Sequence, residues 1–289
     1  MKLTEVFKEK KRTLSFEVFP PKNGTDGSGI IDAALSIASL RPDFMSVTYG
    51  AGGGTSENTV PLAKKIKSEY GVATIAHQTC ISSDKKSVSD SLLKLSENGI
   101  ENILALRGDI PSDDGFTPST DFKYACDLIE FIKTHGDFCV GGACYPEGHV
   151  ESDSFSADLE NLKHKVECGC EFLTTQMFFD NDLLYRFLYR IRDMGINVPV
   201  IAGVMPVTNK KQIKRICSLS GTTLPQRFIA IVDKFGDSPE TMRKAGVYYA
   251  VQQIIDLYAN GVNNVHVYSM NQPWVAEMMT ECLSEIVWG

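Results

Sequence analysis

A chain of 289 residues with 43% hydrophobic and 22% charged residues has the composition of an ordinary globular protein, which excludes extended disorder. Its net charge of −7 excludes a general basic field of the kind that attracts nucleic acid. No stretch approaches the ~20 apolar residues of a membrane span, and the Lys-containing start MKLTEVFKEKKRTL lacks a signal-peptide core, so a cytoplasmic location with no membrane partner is expected.

In chain order, runs of β-branched and aromatic residues bounded by turn signals predict strands at TLSFEVF, FMSVTY, VATIAHQTC, NILALRGD, FCVGGACYP, FLTTQMFF, VPVIAGVMP and NVHVYSM. Between them lie segments of helical spacing, among them TVPLAKKIKSEY, SVSDSLLKLSENG, YACDLIEFIKTHG and LENLKHKVECG, several closed by a glycine. Strand and helix alternate, which predicts parallel pairing. Eight such repeats without a linker predict one (β/α)8 TIM barrel over residues 1–289, a single domain close to the usual barrel size of about 250 residues.

Barrel sites lie at the C-terminal ends of strands. Polar residues gather at those ends: Glu17; Thr48 and Tyr49; His77 and Gln78; Arg107, Gly108 and Asp109; Tyr145, Glu147 and His149; Gln176; Asn271 and Gln272. Glu17 is the most demanding of them, because it sits between Phe16, Val18 and Phe19. A carboxylate there is either an ion-pair partner or a partly desolvated acid whose pKa rises toward neutrality, and the residues alone leave these readings about even. Eight scattered cysteines read as reduced thiols. The close pair Cys168 and Cys170 lacks a second pair or a His at zinc-finger spacing, so buried thiols are expected and no metal site. The glycine-rich GAGGGTSENT, residues 50–59, reads as a strand-to-helix turn capped by Thr55 or Ser56 in preference to a phosphate cradle.

The ordered segments SFEVFPPK, SVTYGA, HQTC, ALRGD, CYPEGH, TTQMFFD and HVYSMN, with Asp158, Asn161 and Lys165 spaced between them, resemble the methylenetetrahydrofolate reductase family over nearly the whole chain. The resemblance implies a barrel holding FAD at its mouth and reducing 5,10-methylenetetrahydrofolate to 5-methyltetrahydrofolate. It implies that Glu17 is the general acid that protonates N10 and opens the five-membered ring, that Asp109 reaches the pterin and steadies the iminium cation, and that hydride comes from N5 of the reduced flavin. Flavin contacts carried over are Tyr49, Ala51, His77, Arg107, Gly108, Asp109, Tyr124, Ala125, Tyr145, His149, Asp158, Asn161 and Lys165. Asp158, Asn161 and Lys165 share one helix face by spacing, as a solvated charged face also would. Gln176 and Gln212 match folate contacts, and Thr48 and Gln176 the nicotinamide side.

Three positions depart from the family pattern. His164 stands where relatives carry an Arg toward FAD, Ile216 where they carry an aromatic cover, and Gln272 where they carry a folate-contacting Arg. The donor is then NADH, NADPH or a redox partner subunit. Two other readings stand beside the reductase: a flavin- or folate-binding subunit fed by a partner protein, and a flavin-free pterin methyl transferase. Barrel surfaces also often support homo-oligomers.

Overall fold

A computed structural model describes residues 1–24, 26–49, 56–110 and 118–289, and leaves the side chains of residues 56, 212, 214, 215, 218 and 219 undescribed. Ala51 and the proposed Thr55/Ser56 cap therefore lie outside the described residues, as does the side chain of Gln212. Eight parallel strands close in sequence order: β1 (Thr13–Val18), β2 (Phe44–Val47), β3 (Ala73–Thr79), β4 (Asn102–Leu106), β5 (Cys139–Cys144), β6 (Phe172–Thr175), β7 (Val200–Val204) and β8 (Asn264–Tyr268). The closing pair is β1 with β8, in register Ser15↔His266 and Glu17↔Tyr268. Every expected strand is present. The expected ends overran by up to four residues, most at β6, which stops at Thr175 because Phe178 and Phe179 are buried in the following loop.

Eleven helices are found among the described residues. Seven follow strands β1 to β6 and β8: α2 (Ser28–Ser39), α3 (Ser56–Tyr70), α4 (Lys85–Glu97), α5 (Ala125–Lys133), α6 (Phe155–Glu167), α7 (Asn181–Asp193) and α11 (Pro273–Trp288). Three, α8 (Lys210–Ser220), α9 (Gln226–Phe235) and α10 (Pro239–Ala259), fill the longer β7–β8 connection. They carry a satellite core in which Phe228 stacks on Phe179 at 5.0 Å.

The first helix, α1 (Leu3–Glu9), belongs to no strand crossover. It plugs the N-terminal end of the barrel, where Leu3, Val6 and Phe7 meet Phe44, Ile75, Leu104, Cys139, Phe172 and Ile201. Phe7 packs edge-on against Phe44 and Phe172. Phe172 reaches the barrel axis because Gly141 beside it has no side chain: a Cβ there would lie 2.1 Å from the ring. The larger core lies between strands and helices. Because successive strand residues face opposite sides, the interior is set by every second residue. It passes from the apolar floor to Ser15, Ser46 and His266, and then to Glu17, His77 and Tyr268 at the mouth.

Candidate active site

The mouth is a cavity of about 1100 Å³. At its deep end Glu17 leaves β1 opposite Ser46 of β2, and its side chain keeps 23% of its exposure. Burial pushes the carboxyl up to about 7, and a hydrogen bond with Ser46 acts in the opposite sense. Its Oε2 lies 3.7 Å from Nε2 of His77, a separation too long for a hydrogen bond. That nitrogen is buried without a hydrogen-bond partner among the described residues. Burial lowers the His77 pKa to about 4, so the pair is a neutral imidazole beside a carboxyl that titrates near neutrality. Among the described residues no Arg or Lys is paired with Glu17, and its one charged-type contact is with His77.

Strand β8 supplies two site residues that the sequence reading missed. The His266 ring is buried, with Nδ1 2.7 Å from Ser15 Oγ and Nε2 2.8 Å from Ser46 Oγ. Burial lowers its pKa to about 3, and nearby His77 adds to the effect. Tyr268 donates its hydroxyl to the Thr175 carbonyl at 2.5 Å, and burial, followed by the adjacent Glu17, raises its pKa well above the usual phenol value. Their signal was the alternation in NVHVY: a His between two apolar residues on a strand facing the barrel axis.

The loop after β4 forms one wall. Gly108 has φ +89°, a conformation glycine alone adopts freely, and a Cβ there would meet Thr79 and Ile81 at 3.1 Å. Arg107 makes a two-pronged ion pair with Glu151, one arm at 2.8 Å, while Asp109 is exposed at the cavity edge. On the facing wall half-buried Tyr145, its pKa raised to about 12 by desolvation, packs edge-on to His149 at 4.6 Å. Asp158 of α6 accepts from the His149 backbone N–H at 3.3 Å and from Ser152 Oγ at 3.2 Å. Lys165 donates to the Ala143 carbonyl at 2.7 Å. Asn161 and His164 line the same side, as do Tyr124 and Ala125 at the start of α5; Thr48, Tyr49 and Gln176 complete the cavity.

Four expected mouth residues do not line the cavity. Gln78 follows His77 and therefore points outward, where its Oε1 accepts from Ser91 of α4 at 2.7 Å. Glu147 binds the Thr223 backbone N–H at 3.0 Å. Asn271 joins the ends of β1 and β8 by bonding both the N–H and the carbonyl of Phe19. Gln272, expected at the folate, begins α11 and accepts from Trp274 Nε1 at 3.3 Å. Ile216 is half-buried on α8 and is likewise absent from the cavity wall. The thiol expectation is corrected in part: Cys170 is buried, but Cys168 is half-buried with its sulfur 3.7 Å from the His164 ring.

A closed parallel barrel with convergent titratable groups at the C-terminal ends of its strands is the architecture of a barrel enzyme. Comparison with known proteins gives the family. Residues 2–284 match the family described as Methylenetetrahydrofolate reductase, and the chain belongs to it. The 5,10-methylenetetrahydrofolate reductases of Escherichia coli K12 and Pectobacterium carotovorum are each 36% identical over 259 residues, covering 90% of this chain and 86% of theirs. Methylenetetrahydrofolate reductase 1 of Schizosaccharomyces pombe is 36% identical over 279 residues, or 95% of this chain but 46% of its own length, so the chain spans about half of that relative. A solved structure from Clostridium thermocellum, described as binding two copies of 5-methyl-5,6,7,8-tetrahydrofolic acid, superposes over the whole chain with a TM-score of 0.65 at 13% identity, a likeness of fold.

Proposed function

We propose that the chain reduces 5,10-methylenetetrahydrofolate to 5-methyltetrahydrofolate with FAD as cofactor and Glu17 as general acid. The observation that carries this reading is the Glu17 carboxyl, held near neutrality in a barrel mouth with a neutral imidazole 3.7 Å away. An acid must be protonated at the working pH and still able to release its proton, and a pKa near 7 meets both needs. Glu17 would give its proton to N10 of the substrate. The bond from N10 to the bridging carbon then breaks, leaving an iminium cation at N5 that the Asp109 carboxylate at the cavity edge can steady.

The residues present fit a flavin. The cavity exceeds the usual upper size for one small ligand and suits two ring systems, and it holds a buried imidazole nitrogen without a partner. Tyr49, His77, Arg107, Gly108, Tyr124, Ala125, Tyr145, His149, Asp158, Asn161, His164 and Lys165 would hold it, with Ala51 from the family resemblance. When bound, the flavin supplies two-electron hydride chemistry that side chains lack. Thr48 and Gln176 would position the folate and a nicotinamide in turn. A nicotinamide donor, in preference to a redox partner subunit, is supported by the Arabidopsis thaliana relative, named with NADH and 31% identical over 93% of this chain. No helix among the described residues is long and apolar enough to cross a membrane, in keeping with a proposed cytoplasmic location.

Glu17→Gln tests the assignment. Flavin reduction needs no proton on the folate and should proceed at the wild-type rate. Flavin reoxidation by methylenetetrahydrofolate, followed by stopped-flow absorbance, should slow by roughly 10²- to 10⁴-fold, the usual contribution of a positioned acid. Reoxidation at the wild-type rate would place the acid elsewhere.

A further inference from the structure

The connection from β7 to β8 holds three helices where an ordinary barrel repeat needs one. The helix that packs back against the barrel is α10, which meets β7, α7 and α11. Helix α8 takes a different course. Its start is fixed beside the end of β7: Val207, in the loop before it, is buried, and the Val207 carbonyl presses on Gly246 of α10, where a Cβ would have no room. One turn into α8, Ile213 joins the satellite core of Phe179, Phe228 and Tyr249. The far end of α8 is fixed on the loops after β5 and β6. Gly221 closes the helix at φ +68°, and a Cβ on it would meet Val150 at 2.7 Å. Thr222 is 5% exposed and donates its hydroxyl to the Met177 carbonyl at 3.1 Å. Thr223 donates its N–H at 3.0 Å and its hydroxyl at 2.5 Å to Oε2 of Glu147.

Helix α8 therefore runs along the rim of the mouth from the end of β7 to the loops after β6 and β5. Its 11 residues make a helix about 16 Å long, enough for that crossing. Met205 and Met177, which follow β7 and β6, line the cavity; the first belongs to the loop that launches α8, and the second bonds its far end. Thioether side chains give an adaptable apolar surface for flat rings. The residues proposed to hold the flavin stand on the other side, on the loop after β4, the start of α5, the loop after β5 and α6. Glu147 is where the two sides meet. It sits in a tight turn closed by the Gly148 N–H on the Tyr145 carbonyl at 3.0 Å, and Tyr145 and His149, on either side of it, both line the cavity. One carboxyl thus joins the cofactor wall to the rim helix.

We propose that Glu147 is a positioning residue: by accepting both donors of Thr223 it fastens α8 across the rim and fixes, for the folate, the side of the cavity that carries Met177 and Met205. The inference rests on the reductase reading above. Glu147 does not line the cavity, so it acts on where the folate sits and not on proton transfer. Of the fastenings at the far end of α8, the Thr222 bond is buried and the Gly221 contact is apolar packing. The Glu147 bonds are the polar, partly exposed ones, and each is removed by a single substitution.

Glu147→Ala removes both acceptors, while Thr223→Val removes the hydroxyl bond and leaves the turn that carries Tyr145 and His149 unaltered. In the flavin-loaded protein, the methylenetetrahydrofolate concentration giving half-maximal flavin reoxidation should rise about tenfold in Glu147→Ala and about threefold in Thr223→Val, with the limiting rate at its wild-type value. Glu147→Gln keeps an acceptor oxygen and should recover most of the loss. Hydrogen exchange of the ligand-free chain gives a second readout: amides of residues 217–223 should exchange about tenfold faster in Glu147→Ala, and strand amides at the wild-type rate. Unchanged exchange in 217–223 would overturn the fastening. Faster exchange with an unmoved folate dependence, or a lower limiting rate at unmoved half-saturation, would overturn its role in placing the folate. An effect of Glu147→Ala with none in Thr223→Val would confine Glu147 to its own turn and overturn the link to α8. Wild-type reoxidation in Glu17→Gln would instead overturn the acid assignment and leave the exchange result, and with it the fastening, in place.

Discussion

Asp43 and Glu17 are carboxylates set into adjoining parts of the same sheet, one just before β2 at the floor of the barrel and one near the end of β1 at its mouth. Asp43 has a side chain with no exposure, and it accepts from the Leu14 backbone N–H at 2.7 Å, from Trp288 Nε1 at 3.2 Å and from the Lys10 ammonium. Glu17 has a serine hydroxyl and a neutral imidazole held 3.7 Å away. The floor surrounds its buried carboxylate with three donors. The mouth withholds them, so its carboxyl stays near the protonation boundary, where it can do proton chemistry. Burial alone therefore does not distinguish a structural acid from a reactive one; the number of donors aimed at it does.

The largest effect expected from breaking this comparison is at the floor. Asp43→Ala leaves the Leu14 N–H and the Trp288 indole without their acceptor and should cost about 2 to 3 kcal/mol of stability, read from urea unfolding. Its turnover per folded molecule should match wild type, since Asp43 does not line the cavity. A loss of turnover with stability intact would show that the two ends are coupled.

At the mouth the sign reverses. Glu17 has a folded pKa of about 7 against an ordinary value of 4.5. The folded state therefore holds its proton more tightly than the unfolded state, and this contribution to stability is complete below pH ~4.5 and lost as pH rises through about 7. The full shift would correspond to about 3 kcal/mol, and the remaining exposure of the side chain reduces the expectation to about 1 to 2 kcal/mol. Urea midpoints at about pH 5 and pH 8 should show Glu17→Gln gaining on wild type by that amount at the higher pH. An equal gap at both pH values would mean that Glu17 is ionised throughout.

The contrast also explains what the sequence made legible. Barrel strands are covered on both faces, so they read as apolar β-branched runs, and all eight were visible for that reason. Their ends were not, because Phe178 and Phe179 are as apolar as the strand before them but fill the loop core. Glu17 stood out as a charge among aromatics. Ser46 and His266 did not, because serine and histidine between apolar residues are ordinary in a core, and only the register sets Ser46 beside Glu17 and His266 beside Ser15. Gln78, Glu147, Asn271 and Gln272 show the converse. Position near a strand end made them candidates, and side-chain direction assigned them to helix, loop and strand-end contacts. Distance along the chain is readable from sequence, while the facing of one residue against its neighbour depends on where the strand ends.

The smallest expected effect sharpens the comparison at the ion pair between Arg107 and Glu151 at the mouth. Arg107 and Glu151 bond in a two-pronged fork, but the Glu151 side chain is 50% exposed, so solvent screens the pair. Breaking it with Glu151→Ala should change stability by less than about 0.5 kcal/mol, in contrast to the loss expected at Asp43. Its consequence belongs to binding. The pair occupies the guanidinium that the family resemblance assigns to the flavin, and removing the carboxylate frees a permanent cation beside the cavity. Retention of an anionic flavin on dilution should then tighten by a few-fold, roughly 0.5 to 1 kcal/mol, as expected for one partly screened charge. Weaker retention would give the pair another role: Glu151 would hold the Arg107 loop in the shape that binds the cofactor, and even the exposed ion pair of the mouth would then act on the ligand through geometry instead of charge.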